Sequence, residues 1–314
     1  MDLITKIDIP KYDFKINFKD KTMFIGSCFS ENIGEKFLIN RMSVLVNPTG
    51  IHYNPLSISE SLETIINKTS ISENELFYCN GLWHHFNFHS KFSKITKEEC
   101  QNEINNSIKE SHSHIKSAKY LFVTFGTAYI FQLKENGQIV SNCHKLKSEI
   151  FNHIFIKPDR IVYEWEKLIK KITDFNENLK IIFTVSPIRH IKDGAINNSR
   201  SKSSLVLAIK ELCENPNYKN LYYFPSYEIV NDELRDYRFF ADDMQHISKI
   251  GIEYIWEKFQ EHLFDNKTKT YINDIQNIVK MMSHKPFNEE SEDYQKFEDK
   301  RKEKIFEFEK KYEI

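Results

Sequence analysis

Short apolar runs alternate along the chain with longer stretches in which apolar residues recur at helical spacing. The apolar runs predict four buried strands, at residues 22–26, 119–124, 180–185 and 221–224. The periodic stretches predict four amphipathic helices, at residues 31–40, 160–172, 199–213 and 248–264. Because strands that alternate with helices build βαβ units, the pattern predicts a three-layer α/β/α sandwich with a mainly parallel central sheet.

Two regions fit this alternation poorly. Residues 47–118 contain the turn sequence Asn47-Pro48-Thr49-Gly50 and an aromatic, histidine-rich run at 83–89, and we interpret them as an insertion that shapes a pocket. Residues 266–314 are rich in Lys and Glu, and we interpret them as a charged helical C-terminal extension. The sequence therefore predicts one α/β domain over residues 1–265, followed by this extension.

Composition narrows the class of partner. The chain has 314 residues, of which 40% are hydrophobic, enough for a sizeable core. Its 44 basic and 45 acidic residues give a formal net charge of -1, so we expect no nucleic-acid partner. No window approaches the roughly 18 consecutive apolar residues of a membrane-spanning helix, so we expect no membrane partner.

The N-terminal segment and the cysteines bear on the cellular compartment. Residues 1–18 show no continuous apolar stretch behind their basic residues, which argues against a signal peptide. The cysteines are scattered and odd in number: Cys28, Cys79, Cys100, Cys143 and Cys213. This pattern is typical of reduced thiols, so we expect a cytoplasmic protein.

Ser27 lies between the first predicted strand and the first predicted helix. Ligands of parallel sheets bind at the carboxyl ends of the strands, where Ser27, Gly126 and Ser186 are expected to lie. A serine hydroxyl becomes a good nucleophile when a neighbouring base accepts its proton. Its own N–H, near the helix N-terminus, can then face a developing oxyanion. The plain alternative is a serine that only caps the helix.

The segment Ala-Asp-Asp-Met-Gln-His at residues 241–246 supplies a second candidate. Asp243 and His246 are three residues apart, a spacing that places both on one face at a helix start, with Ser248 as the cap of the following helix. A carboxylate beside an imidazole fixes its tautomer and stabilises the imidazolium that forms during acyl transfer. A surface Asp–His pair with no catalytic role is the alternative.

The histidine-rich run invites a metal interpretation. Trp83, His84, His85 and His89 lie close together in the sequence, but they lack the ligand spacings that zinc sites usually carry. We therefore expect no metal and no cofactor. An aromatic pocket wall and ordinary packing are the remaining interpretations of this run.

The two candidate segments together resemble a known layout. Gly26-Ser27-Cys28-Phe29-Ser30 near the N-terminus, followed by Asp243-x-x-His246, resembles the SGNH/GDSL hydrolase superfamily. The first block is more closely similar to that of the GSCFA family, named for Gly-Ser-Cys-Phe-Ala, with Ser30 in place of the final Ala. The resemblance covers roughly residues 15–290. Further matching segments are Asn47-Pro48-Thr49-Gly50, Tyr53-Asn54-Pro55, Gly126-Thr127-Ala128, Asn142-Cys143-His144-Lys145, Ser186-Pro187-Ile188-Arg189-His190, Tyr237-Arg238-Phe239 and His284-Lys285-Pro286-Phe287.

The resemblance implies a fold and a set of roles. The fold is the SGNH hydrolase-like, flavodoxin-like α/β/α sandwich. Ser27 is then the nucleophile, Asp243 and His246 complete the triad, and the N–H groups of Ser27 and Gly50 line the oxyanion hole. The third block of the superfamily supplies an asparagine, which this chain lacks, so Thr127 or Asn142 is expected to replace it.

The remaining matches imply substrate contacts. His144 and Lys145 lie beside Asn142, and Arg189 with His190 follows a predicted strand end, so all four are candidates for binding an anionic or sugar substrate. Each has a hydrogen-bonded or solvated loop as its alternative. Arg238 could orient a carboxylate, although an ion pair within the fold is the simpler role.

The function implied by the resemblance is ester hydrolysis. The expected substrate is a small-molecule or glycan ester of carbohydrate type, from which an acetyl or other small acyl group is removed. Three alternatives stay open on the sequence. The same triad could transfer the acyl group to a sugar hydroxyl. Cys28 could replace Ser27 as the nucleophile, since thiolates are strong nucleophiles. The missing asparagine also allows a non-catalytic carbohydrate-binding module on a degenerate hydrolase fold.

Overall fold

The computed structural model describes residues 4–282 and 292–313. Within them the strands are, in chain order, β1 (Thr22–Gly26), β2 (Val44–Val46), β3 (Phe77–Cys79), β4 (Leu82–His84), β5 (Tyr120–Phe125), β6 (Tyr129–Leu133), β7 (Ile139–Val140), β8 (Phe151–Phe155), β9 (Lys180–Val185) and β10 (Leu221–Tyr223). The helices are α1 (Cys28–Ile39), α2 (Pro55–Asn67), α3 (Lys97–Lys116), α4 (Pro158–Phe175), α5 (Ala195–Glu214), α6 (Ser226–Glu228), α7 (Lys249–Leu263), α8 (Asn266–Met282) and α9 (Glu292–Tyr312).

The central sheet is five-stranded and parallel, in the order β10-β9-β5-β1-β2. Renumbered along the chain, these five strands have the flavodoxin-like order 2-1-3-4-5. All four strands predicted from sequence belong to this sheet, and all four predicted helices form. The predicted α/β class is therefore confirmed. The edge strand β2 was not predicted, because three residues are too short a run to show a pattern.

Helices cover both faces of the sheet. Met23 and Ile25 of β1 pack with apolar residues of α2, α4 and α5 on one face, whereas Phe24 packs with those of α1 and α7 on the other. Burial on both faces explains why these strands are continuous apolar runs rather than alternating ones. The result is three layers, α/β/α, with the carboxyl ends of the parallel strands along one edge of the sheet.

The region at 47–118, interpreted above as an insertion, contains regular secondary structure. It contributes α2 and α3, which connect β2 to β5, together with the antiparallel pair β3–β4. A second small sheet, β7-β6-β8, follows β5 and lies outside the predicted insertion. Its short strands mix buried and exposed positions, so they carry a weaker signal than the buried strands of the central sheet.

The C-terminal region is helical. In α8, Tyr271 stacks on Phe18 with ring centroids 4.2 Å apart, and Phe308 and Tyr312 of α9 pack against the same apolar cluster. The boundary predicted at residue 265 stays a prediction, and the segment His284-Lys285-Pro286-Phe287 lies outside the described residues. In the part of the chain that the structure describes, no helix is both long and apolar enough to cross a membrane.

Gly26 allows the turn that places Ser27 after β1. Its φ of +134° is a conformation that L side chains rarely adopt. A Cβ at this position would lie 2.2 Å from the carbonyl oxygen of Thr124, because β1 and β5 run side by side here. Glycine therefore permits both the turn and the close approach of the two strands immediately before Ser27.

Candidate active site

A cleft of about 610 Å³ opens at the carboxyl ends of β1, β5 and β9. This volume is within the usual range for small-molecule sites. The cleft is lined by residues from the strand ends, from the segment after β2, from the β6–β8 sheet and from the loop before α7. These include Ser27, Cys28, Tyr53, Asn54, His89, Thr127, Tyr129, Phe131, Asn142, His153, Ser186, Arg189, His190, Lys192, Asp193, Gln245 and His246.

Ser27 is the N-cap of α1 and is 1% exposed. Its Oγ accepts a hydrogen bond from the N–H of Phe29 at 3.3 Å, so the Ser27 side chain caps the helix. The N–H of Ser27 donates to the carbonyl oxygen of Thr124 at 3.2 Å. In this conformation the N–H continues the hydrogen-bonding ladder between β1 and β5, and its place in an oxyanion hole stays a prediction.

Asp243 and His246 lie in the loop before α7 and form a tight pair. His246 Nδ1 lies 2.5 Å from Asp243 Oδ2, and the backbone N–H groups of Gln245 and His246 each donate to Asp243 Oδ1 at 2.9 Å. The backbone N–H of His246, then its imidazole and then Gln245 lower the pKa of Asp243 to about 2. An ionised Asp243 holds the proton on Nδ1, which leaves Nε2 of His246 as the proton acceptor.

The pair owes its geometry to a turn rather than to a helix face. The helix begins only at Lys249, and Met244 between the two partners has a φ of +58°. Ser248 caps this helix as predicted, accepting a hydrogen bond from the N–H of Gly251 at 3.3 Å. Local hydrogen bonds to an aspartate side chain are a common means of ordering such loops.

Ser27 and His246 line the same cleft but are not hydrogen-bonded to each other. Among the described residues, no hydrogen bond joins Ser27 Oγ to His246 Nε2, and the His246 side chain is 54% exposed. The expected direct contact is therefore not formed in this conformation. Serine–histidine contacts are often long without substrate and tighten in the substrate complex.

His190 is a second imidazole beside Ser27. A Cβ on Gly126 would lie 3.3 Å from His190 Nε2 and 3.4 Å from Ser27 Cβ. Both side chains therefore lie next to Gly126. Burial, with smaller contributions from Lys202 and His246, lowers the pKa of His190 to about 4. In the part of the chain that the structure describes, no carboxylate pairs with His190, in contrast to His246.

Thr127 and Asn142, the candidates for the third oxyanion donor, both line the cleft. Thr127 Oγ1 lies 3.1 Å from Ser201 Oγ and accepts the N–H of Tyr129 at 3.2 Å. Its hydroxyl proton is free for a substrate only when Ser201 is the donor of their shared bond. Asn142 Oδ1 accepts the N–H of His144 at 2.8 Å, which leaves Asn142 Nδ2 as the available donor.

Gly50 does not contribute to the cleft as the resemblance implied. Its N–H closes a turn by donating to the carbonyl oxygen of Asn47 at 2.8 Å, and a Cβ on Gly50 would collide with His89. Gly50 is absent from the residues that line the cleft, whereas its neighbour Ile51 is present. In this conformation the turn uses the Gly50 N–H, and its place in an oxyanion hole stays a prediction.

His144 and Lys145 do not line the cleft, and their role in binding substrate stays a prediction. The two imidazole nitrogens of His144 contact Ser90 Oγ at 3.3 Å and the carbonyl oxygen of His85 at 2.9 Å, and the side chain is buried. Lys145 is exposed but does not line the cleft. Both have positive φ values, so this segment turns sharply just after Asn142.

Of the other charged candidates, Arg189 lines the cleft and is exposed. Arg238 instead forms an exposed ion pair with Asp236 at 3.3 Å. In the histidine-rich run, the ring nitrogens of His84 contact Ser93 Oγ and the carbonyl oxygen of Cys79. No group of three His, Cys, Asp or Glu side chains within the described ranges is arranged to hold a metal ion.

Lys202 is a buried residue next to the cleft that sequence reasoning missed. It lies on α5 with 1% exposure, and its Nζ donates to the carbonyl oxygens of Gly126 and Ser186, each at 2.6 Å. A signal was present in the sequence. Lys202 lies three residues before Leu205 and seven before Ile209, which places a lysine on the apolar stripe of the predicted helix.

Cys28 follows Ser27 and also lines the cleft. Burial, and secondarily the carboxylate of Glu31, raise the pKa of the Cys28 thiol. A thiol with a raised pKa is less ionised at neutral pH and is a weaker nucleophile. The local electrostatics therefore disfavour Cys28 as the reacting group.

Fold and site together define the class of protein. A flavodoxin-like sheet with a serine after its first strand, and an Asp-x-x-His pair before the last helix of the sandwich, is the SGNH hydrolase-like layout. Within this class, the chain belongs to the GSCFA family, whose model matches residues 21–259. The model described as GSCFA domain protein, C-terminal domain, matches residues 275–314. Curated proteins give no match to the chain.

Several solved structures are distantly similar. A putative platelet activating factor from Streptococcus pneumonia is 10% identical over 78% of this chain and 85% of that chain, with a TM-score of 0.43. The Clostridium thermocellum family 3 carbohydrate esterase is 11% identical over 83% and 99%, with a TM-score of 0.38. An acetyl xylan esterase, Est2A, from the rumen bacterium Butyrivibrio proteoclasticus is 11% identical over 87% and 66%, with a TM-score of 0.35. These similarities are too distant to bear on activity or substrate.

Proposed function

We propose that the protein is a serine esterase that removes an acetyl or other small acyl group from a carbohydrate-type ester. Ser27 attacks the ester carbonyl, His246 accepts the serine proton and returns it to the leaving alcohol, and Asp243 orients His246. Water then releases the acyl group from Ser27, with His246 again as the base. The reaction consumes water and ester and yields a carboxylic acid and an alcohol.

The observation that carries the proposal is the Asp243–His246 pair on the cleft that contains Ser27. Nδ1 of His246 lies 2.5 Å from Oδ2 of Asp243, and a carboxylate at this position favours the tautomer in which Nε2 can accept a proton. Ser27 lies at the N-terminus of α1, whose unpaired N–H groups favour negative charge nearby. A base, a hydroxyl and a positive potential within one cleft are the parts that acyl transfer through serine requires.

The lining of the cleft supports a carbohydrate-type substrate. Tyr53 and Phe131 line the cleft and are 39% and 40% exposed, and aromatic side chains can pack against a sugar. Arg189 and Asp193 add polar groups that can bind hydroxyls. The same aromatic and polar lining could also hold a sugar that accepts the acyl group. This lining favours acyl transfer as the second candidate.

A fluorophosphonate probe and a chromogenic acetyl ester test the proposal together. We expect a single covalent adduct on Ser27 by mass spectrometry, and ester turnover that the probe abolishes in proportion to labelling. Adding candidate sugars separates hydrolysis from transfer, because only transfer yields an acylated sugar. Labelling of Cys28 by iodoacetamide that stops turnover, without reaction at Ser27, would contradict the proposal.

The third oxyanion donor is tested by Asn142→Asp. The variant keeps the oxygen that accepts the His144 N–H but replaces the free amide donor with a negative charge. We expect kcat to fall by roughly 10²–10³-fold, the usual cost of one oxyanion donor. Thr127→Val should cost less, since the Thr127 hydroxyl is shared with Ser201. Steady-state kinetics of both variants decide, and an unchanged kcat in Asn142→Asp would exclude Asn142.

A further inference from the structure

Lys202 stands out among the lysines because it is buried without an acidic partner. It is 1% exposed, and within the described residues no carboxylate lies at ion-pair distance from its Nζ. Its contacts are two carbonyl oxygens, of Gly126 and Ser186. A buried ammonium ion without a paired charge is costly, so its presence at this position requires an explanation beyond packing.

The two carbonyl groups lie at the carboxyl ends of neighbouring central strands. Gly126 directly follows β5, and Ser186 directly follows β9 and lines the cleft. Gly126 is also where Ser27 and His190 meet, as the distances to a Cβ at this position show. Lys202 therefore ties together the two strand ends that lie beside the candidate nucleophile.

The neighbours of Lys202 on α5 hold the same loops. Ser201 Oγ accepts the N–H of Ala128 at 2.7 Å and contacts Thr127 Oγ1. Asn198 Oδ1 accepts the N–H of His190 at 2.9 Å. A buried polar stripe on α5 thus anchors both the segment after β5 and the segment after β9.

We propose that Lys202 is a positioning residue of the active site, which fixes the ends of β5 and β9 and supplies a positive charge beneath Ser27. The inference rests on the proposed function, because a charge at this location favours the anion that forms when Ser27 attacks an ester. The charge would act together with the oxyanion donor proposed at Asn142, since a buried cation raises the potential at the oxyanion without touching the substrate.

The charge of Lys202 should make activity depend on pH. Burial lowers the pKa of Lys202 to about 7, whereas Cys28 on α1 raises it and the two carbonyl acceptors favour the ammonium form. Within residues 4–282 and 292–313, His190, after β9, is the other titratable group whose charge acts on Lys202. Loss of the proton removes the positive charge, so kcat should fall as pH rises between 7 and the ordinary lysine pKa of 10.5.

The test compares Lys202→Met, Lys202→Arg and Lys210→Met in the full chain with a chromogenic acetyl ester. Lys210 lies on the same helix, is exposed and pairs with Glu214, so Lys210→Met is the matched control. We expect Lys202→Met to lower kcat by about 10²-fold with KM changed less than about threefold. Lys202→Arg should retain part of the activity and lose the alkaline decline, because arginine does not titrate there.

Circular dichroism checks folding, since Lys202→Met leaves two buried carbonyl oxygens unpaired. If that variant does not fold, the pH profile of Lys202→Arg decides alone. Two results with an active wild-type protein would overturn the role of Lys202 only. One is a kcat of Lys202→Met within threefold of the wild-type value. The other is an alkaline decline of kcat that persists in Lys202→Arg. A wild type that neither hydrolyses the ester nor reacts with fluorophosphonate at Ser27 overturns the proposed function and this inference with it.

Discussion

Ser27→Ala is expected to lower ester turnover by at least about 10⁴-fold, because the variant lacks the oxygen that attacks the carbonyl. The fold should survive, although the cap of α1 is lost. Removing a serine N-cap costs about 1 kcal/mol, and here the N–H of Phe29 loses its acceptor at 3.3 Å. Initial rates with a chromogenic acetyl ester, and urea denaturation followed by circular dichroism, measure the two effects separately.

Two further variants sharpen this result. Ser27→Gly removes the same oxygen, and glycine at an N-cap costs only a few tenths of a kcal/mol. It should therefore match Ser27→Ala in turnover but be more stable. Cys28→Ala changes the neighbouring side chain in the same cleft and should keep turnover within about threefold. If Cys28→Ala is inactive and Ser27→Gly is active, the thiol is the nucleophile and the proposal is wrong.

His246→Ala is expected to lower kcat by about 10³–10⁴-fold, since Ser27 then lacks its base. Asp243→Asn should be nearly as damaging for a different reason. Its Oδ1 still accepts the two backbone N–H groups, so an N–H donor faces His246 Nδ1 where a carboxylate oxygen stood at 2.5 Å. The imidazole must then carry its proton on Nε2, the atom that has to accept one from Ser27.

His190 provides the decisive comparison for this prediction. It meets Ser27 at Gly126 but has no carboxylate partner among the described residues, so His190→Ala should act mainly on KM. His262→Ala removes an imidazole near Glu261, away from the cleft, and serves as the control. A loss of kcat that is larger in His190→Ala than in His246→Ala would move the base to His190.

Local hydrophobic patterns were sufficient to predict four of the five strands of the central sheet. The strands β1, β5 and β9 are buried on both faces, so each appears in the sequence as a continuous apolar run. The short strand β2 and the β7-β6-β8 sheet carry no such run. The β7-β6-β8 sheet nevertheless contributes Tyr129, Phe131 and Val140 to one wall of the cleft, and Asn142 lines it just after β7. That wall could not be predicted, because its pairing joins segments whose periodicity is weak.

The amino-acid sequence by itself determined the class of fold, the position of Ser27 between a strand and a helix, and the spacing of Asp243 and His246. These depend on apolar periodicity and on motifs within a few residues, which are properties of the local sequence. Only the tertiary structure decided which backbone N–H groups remain free. The N–H groups of Ser27 and Gly50 are used by Thr124 and Asn47, and the first of these acceptors lies on a neighbouring strand.

The tertiary structure likewise decided the role of Lys202. In the sequence it is one lysine on an amphipathic helix, and its burial follows from the packing of α5 against the ends of β5 and β9. Gly126 and Ser186 are 60 residues apart in the sequence and follow different strands, β5 and β9, yet the carbonyl oxygens of both accept hydrogen bonds from Lys202. The sequence places Lys202 on the apolar stripe of its helix but does not show which groups it contacts, because contacts between residues far apart in the chain depend on how the layers pack.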